Sequence, residues 1–129
     1  MAQRYFTLEE ATALLPRLRT ELGALRAENE ELARCRTQLA RLRVLLRSNG
    51  HAAEALSLEA RAADLLQTIG ARLEALRALG IELKDLEHGL VDFPSWREGR
   101  VVYLCWRLDE EHIGYWHELD AGFQGRQPL

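Results

Sequence analysis

From Leu8 to Leu79 apolar side chains recur at steps of three and four, and after Gly80 they alternate or run together in short blocks. The first spacing belongs to helices with one buried face, the second to strands. Thr7-Leu8-Glu9-Glu10 reads as a capping box, with Thr7 as N-cap and Glu10 reaching back from the third helical position. The helix it opens runs to Ser48, Asn49 and Gly50, a stop-and-turn signal. A second helix, Ala52 to Leu79, is expected to bury Leu58, Ala62, Leu65, Ile69, Leu73 and Leu76, with Gly80 ending it. So short a turn folds the pair into an antiparallel hairpin.

The arms are unequal. At about 1.5 Å per residue the first is roughly 60 Å long and the second roughly 40 Å. Residues 8–20 therefore overhang, and Leu8, Ala11, Leu14, Leu15 and Leu18 need a surface to cover. Pro16 lies in this overhang and is expected to kink or interrupt it. The C-terminal part offers the surface. "IELKDLEHGLVDF", "RVVYLCWRL" and "HIGYWHEL" read as strands, with "PSWREG" and "DEE" as connections. The predicted fold class is α+β, mostly α: a long antiparallel helical hairpin with a small C-terminal antiparallel sheet of about three strands. It forms one domain, 1–129, with the hairpin at 8–79 and the sheet and tail at 80–129.

Leu18, Leu25, Leu32, Leu39 and Leu46 recur every seventh residue and suggest a parallel zipper. The facing positions are Leu15, Leu22, Asn29, Arg36 and Arg43, and two arginines at a core position are costly. An intrachain hairpin is favoured. Because a two-helix hairpin leaves both arms half exposed, homodimerisation into a four-helix arrangement is expected to cover them.

Composition adds limits. The chain has 129 residues, 47% hydrophobic and 29% charged, with net charge −3. That balance suits a folded chain and gives no overall attraction to nucleic acid or acidic membrane. No apolar run reaches spanning length, so a cytoplasmic protein is expected. Cys35 and Cys105 stand alone without a CxxC pair and read as reduced thiols. Arg34, Arg36, Arg41, Arg43 and Arg47 could grip phosphates. They lack interleaved aromatics, and Glu28, Glu30, Glu31 and Glu54 dilute their field, so nucleic-acid binding is the weaker alternative.

The chemistry lies in the C-terminal half. His117-Glu118 begins an HExxH match that fails at Ala121. A strand register with Leu104 opposite His117 and Phe93 opposite Val101 places Asp92 and His117 on one apolar face, beneath Glu9 or Glu10 of the overhang. A buried Asp and His need partners. Either they hydrogen-bond to each other, or Asp92, His117 and Glu9 or Glu10 hold a divalent metal or move a proton. His51, His88 and His112 fall in turn-like surroundings and read as surface residues. In the tail, "AGFQGRQPL" reads as a loop rather than a strand. Phe123 is expected to anchor it in a hydrophobic slot, and Arg126 to pair with Asp85, Asp92 or Asp120.

"YFTLEEATALLPRL", "LKDLEHGLVDFP" and "GRVVYLCWRLDEEHIGYWHELDAGFQGRQPL" together resemble the uncharacterised bacterial domain of unknown function family 2203. The resemblance implies small, stand-alone cytosolic proteins and no particular activity. Its segments contain Glu9, Glu10, Pro16, Asp85, Asp92, Trp106, His117, Glu118, Asp120, Gly122, Phe123, Gly125 and Arg126. The expected function is a homo-oligomeric module that binds a ligand or partner. Its polar site would lie between the N-terminal helix and the sheet and use Asp85, Asp92, Trp116, His117, Glu118, Asp120 and Arg126. The alternative is a metal-binding protein or metal-dependent enzyme using Asp92, His117 and Glu9 or Glu10.

Overall fold

The computed structural model describes residues 3–45 and 51–129. Two helices, α1 (Leu8–Leu45) and α2 (Ala52–Ala78), precede five strands: β1 (Glu82–Asp85), β2 (Leu90–Arg97), β3 (Arg100–Arg107), β4 (Tyr115–His117) and β5 (Gln127–Pro128). The strands form one antiparallel sheet in the order β1-β2-β3-β4-β5. The architecture is therefore a helical hairpin followed by a small sheet, as the hydrophobic periods imply. The turn assigned to Ser48, Asn49 and Gly50, with Leu46 and Arg47, lies outside the described residues.

Contacts divide the chain into two compact units, Met1–Gly23 with Glu74–Leu129, and Ala24–Leu73. The second unit is the body of the hairpin. Leu39, Leu42 and Ala55 are buried together with Leu58 packed against them. Arg61 forks onto the Glu31 carboxylate, its Nη2 2.9 Å from Oε1, and Arg72 Nε donates to Glu28 Oε1 at 2.7 Å. Leu25, Leu32, Cys35, Leu39 and Leu42 are buried on α1, whereas Arg36 and Arg43 are exposed. A straight helix drifts about 20° per heptad, so the buried row moves off the seam that would have placed those arginines inside. On α2, Leu65 and Ile69 are buried, but Leu73 is exposed, contrary to expectation.

The first unit joins the start of α1 to the sheet. The capping box forms as read: Thr7 N–H donates to Glu10 Oε1 at 2.9 Å, and Glu10 N–H to Thr7 Oγ1 at 3.1 Å. Ala11, Leu15 and Leu18 are buried, Leu14 is half-buried and Leu8 is exposed. Phe6 packs edge-on against Phe93 with ring centroids 5.4 Å apart, and the Arg19 guanidinium lies 5.6 Å from the Trp106 ring. The overhang thus covers one sheet face. Pro16 does not interrupt α1. It lies on the exposed side with Thr12, the residue whose carbonyl loses a partner, so water can supply the missing bond.

Three strands were expected and five form. Residues 81–93, read as one strand, are a hairpin: Gly89, at φ 64°, turns the chain between β1 and β2. A Cβ on Gly89 would sit 2.5 Å from Leu108 Cβ, so this position needs glycine. "PSWR" is not a connection but the end of β2. The connection is only Glu98-Gly99, both at positive φ (51° and 79°), the backbone of a two-residue type I′ turn. Pro94 is tolerated in β2 because its carbonyl points away from β3 and accepts Phe6 N–H at 2.7 Å. Its missing N–H therefore costs the β2–β3 ladder nothing. Ser95 Oγ donates to the Phe6 carbonyl at 2.6 Å and completes the clamp. The tail is not wholly a loop: after a short 3-10 turn, Phe123–Gly125, β5 pairs with β4.

Candidate functional site

Register decides which side chains meet. In β2–β3, Asp92 lies opposite Cys105 and Phe93 opposite Leu104. In β3–β4, Tyr103 lies opposite His117 and Leu104 opposite Trp116. Both hairpins are displaced by an odd number of positions from the register expected from sequence. Each displacement alone would have separated Asp92 from His117, and together they restore them to one face. That face is the other one. Val91, Phe93, Val102, Leu104, Trp106 and Trp116 turn toward Phe6 and α1, whereas Asp92, Tyr103, Cys105, Tyr115 and His117 point away.

The placement of the polar residues between helix and sheet is thereby corrected. The groove beside the N-terminal segment, about 380 Å³, is lined by Tyr5, Phe6, Leu8, Val102, Leu104 and neighbours, and by none of the expected ligand-binding or metal residues. Glu10 is engaged in the capping box, and Glu9 precedes it on the exposed side of α1. Neither joins the Asp92–His117 pair.

On the outer face Asp92 and His117 are each 2% exposed and Cys105 is fully buried. His117 Nε2 lies 3.1 Å from Asp92 Oδ2, and Nδ1 lies 2.7 Å from the Glu118 carbonyl. A carbonyl only accepts, so Nδ1 carries hydrogen. In a neutral imidazole Nε2 then directs its lone pair at the carboxylate. One ligand atom from each of Asp92, Cys105 and His117 lies within 4.8 Å of the others. The second Asp92 oxygen, Oδ1, is buried without a hydrogen bond. Burial pushes the Asp92 carboxyl above its ordinary range, against the pull of His117 and the nearby thiol. Burial, then the Asp92 charge, pushes the Cys105 thiol up to about 12. Tyr103 stacks obliquely on the imidazole at 5.4 Å and donates to Glu82 Oε2 at 2.7 Å; burial and that bond push its hydroxyl up to about 12.

The remaining expected residues scatter around this cluster. Arg126 pairs with Glu110 at 2.6 Å, not with Asp85, Asp92 or Asp120, and also donates to the Cys105 carbonyl at 3.4 Å. Phe123 is not in a slot: it is 39% exposed, with the Arg107 and Arg126 guanidinium carbons 5.5 and 4.7 Å from its ring. Glu118 is half-buried and paired with Arg100, whose Nε is 3.1 Å from Oε1. Asp85 binds His88 at the β1–β2 turn. Trp116 is buried on the α1-facing side beneath Arg97, and Asp120 is exposed. Cys105 is the member that sequence reasoning passed over. Only its position opposite Asp92 marks it, and that position requires the register.

Both cysteines are free thiols, and among the described residues no helix is long and apolar enough to cross a membrane. A family model, DUF2203, described as an uncharacterized conserved protein, matches residues 4–129. No curated protein and no solved structure matches the chain significantly.

Proposed function

The chain belongs to the DUF2203 family, and we propose that it is a metal-binding module whose ligands are Asp92, Cys105 and His117. The observation that carries this reading is the lone pair of His117 Nε2. With Nδ1 tied to the Glu118 carbonyl, Nε2 faces a carboxylate oxygen 3.1 Å away. Two acceptors so close need a positive centre between them, either a proton or a cation. A zinc ion with bonds of about 2.0–2.3 Å holds tetrahedral donors roughly 3.3–3.7 Å apart, near the separation of this pair. The backbone carbonyl on Nδ1 is the usual support behind a ligating imidazole. Imidazole, thiolate and carboxylate together favour zinc over magnesium or calcium, which prefer oxygen donors throughout. A cation would also explain the thiol, since coordination removes a proton that burial otherwise retains.

Untagged protein purified without chelator tests this by metal analysis. One zinc per chain is expected, with little left in Cys105→Ser or His117→Ala. A metal-free wild-type protein, unchanged in melting temperature by added zinc, would leave the proton as the shared positive centre and end the metal reading.

A second observation favours self-association. Beside its buried row, α2 carries Leu56, Ala63, Leu66, Gly70 and Leu73 at steps of seven, three, four and three, all exposed. Leu56 is 66% and Leu66 50% exposed. This is the spacing of a second helix-packing seam, with small residues where a neighbouring helix would approach closely. A homodimer formed along it is expected in sedimentation analysis, and Leu66→Glu should return it to monomer. A wild-type chain that sediments as monomer at high concentration contradicts the seam.

A further inference from the structure

The outer sheet face holds a second feature, independent of any metal. A cleft of about 300 Å³ is lined by Asp85, His88, Leu90, Arg107 and Phe123. Leu90 and Arg107 are cross-strand partners, two positions along from the Asp92–Cys105 pair and on the same face. The end of β1 supplies Asp85, the turn that follows it supplies His88, and the 3-10 turn supplies Phe123.

Asp85 fixes His88 at two points. The His88 backbone N–H donates to Oδ1 at 3.2 Å, and ring Nδ1 lies 2.8 Å from Oδ2. A carboxylate accepts, so Nδ1 carries hydrogen and Nε2 remains for an occupant. The hydrogen bond with Asp85 also raises the His88 pKa, favouring the form in which Nε2 donates. Arg107 donates from Nε to Asp109 Oδ1 at 2.6 Å, which steadies the guanidinium while both Nη groups stay available. Phe123 offers an exposed ring 5.5 Å from the Arg107 guanidinium carbon, with Arg126 at 4.7 Å from the same ring. Leu90 is an apolar wall.

Such a cleft combines a stacking surface, an apolar wall, one forked cation and one oriented imidazole. We propose that it binds a small planar carboxylate, its ring against Phe123 and Leu90 and its carboxylate on Arg107 Nη with His88 Nε2. Arg–carboxylate pairing is planar and bidentate, which suits a single fork. A dianion such as phosphate is disfavoured by the Asp85 and Asp109 carboxylates beside the two cationic groups. The volume is at the small end of ligand sites and matches a one-ring molecule.

Benzoate is the probe, followed by NMR at the His88 ring proton and the Phe123 ring. Saturable shifts at both residues are expected with benzoate. Acetate, which lacks the ring, benzyl alcohol, which lacks the charge, and inorganic phosphate should each bind about tenfold more weakly or worse. Arg107→Gln should weaken benzoate by about tenfold with the amide spectrum otherwise retained, because the side chain is at the surface. Phe123→Ala provides a second variant that leaves the strands untouched. No saturable shift with benzoate, an equal response to acetate or phosphate, or undiminished binding in both variants would overturn the proposal.

Discussion

The two faces of the sheet are built from alternate residues of the same strands and obey different rules. Toward α1, Val91, Phe93, Val102, Leu104 and Trp106 are buried as hydrocarbon, with Phe6 packed on Phe93 and with Leu15 and Leu18 of the same compact unit also buried. On the other side Asp92, Cys105 and His117 are as deeply buried, yet each is polar or ionisable. Burial of the first face is favourable by itself, at about 25 cal/mol per Å². Burial of the second is unfavourable unless every group is partnered, and Asp92 Oδ1 lacks a hydrogen bond. One face holds the fold together; the other spends some of that stability to bring three ligand-type atoms together. Polar groups retained in so costly a place are the best pointer to chemistry in this chain.

Mutations on the two faces should separate these roles. The largest effect is expected at Phe93, which is fully buried against Phe6: Phe93→Ala should cost about 3–5 kcal/mol in denaturant unfolding, with or without metal. Next is Asp92→Ala, which removes the partner of a buried imidazole and should cost roughly 1–3 kcal/mol in metal-free protein. Adding zinc should stabilise wild type and leave this variant unmoved. If Asp92→Ala were neutral in metal-free protein while Phe93→Ala kept its cost, the polar pair would contribute nothing to stability; if zinc stabilised the variant as much as wild type, Asp92 would contribute nothing to metal affinity.

Smaller effects sharpen the comparison at the edges of the outer face. Tyr103 should resist ionisation until about pH 12, since burial and its bond to Glu82 hold the proton on. Ultraviolet titration of wild type against Tyr103→Phe would isolate that transition. The Asp85–His88 pair should give the smallest effect, because both groups are exposed. Its hydrogen bonds lower Asp85 and raise His88. The Asp85 contribution is present above its unfolded pKa of about 3.9 and is lost as pH falls. That of His88 is present below about 6.5 and is lost as pH rises through its higher folded value. The pair therefore supports the fold mainly between those limits, and Asp85→Asn should return the His88 titration to the ordinary range.

Much of this contrast is legible in the sequence, but not its geometry. Helical spacing, the Thr7–Glu10 box and unequal arms lead to the hairpin and to an N-terminal overhang packed on the sheet. Asp92 and His117 stand out as the polar pair. Which face they occupy depends on turn length, and the turn signals are weak. Glu98 adopts positive φ although it is not glycine, so a two-residue turn at Glu98-Gly99 hides inside what reads as a long connection. Gly89 similarly breaks an apparently continuous strand. An odd error in register exchanges the two faces completely, and for that reason Cys105 remains invisible until Asp92 is placed opposite it. Glu9 and Glu10 drew attention only because the polar residues were assigned to the face beneath them.

Cobalt(II) substitution examines the outer face most directly, because the metal reports its own ligands. Titrating metal-free protein with cobalt should produce thiolate-to-metal absorption and tetrahedral visible bands that saturate at one ion per chain and vanish in Cys105→Ser. A spectrum no different from free cobalt, or one that survives loss of the thiol, would contradict a centre built from Asp92, Cys105 and His117.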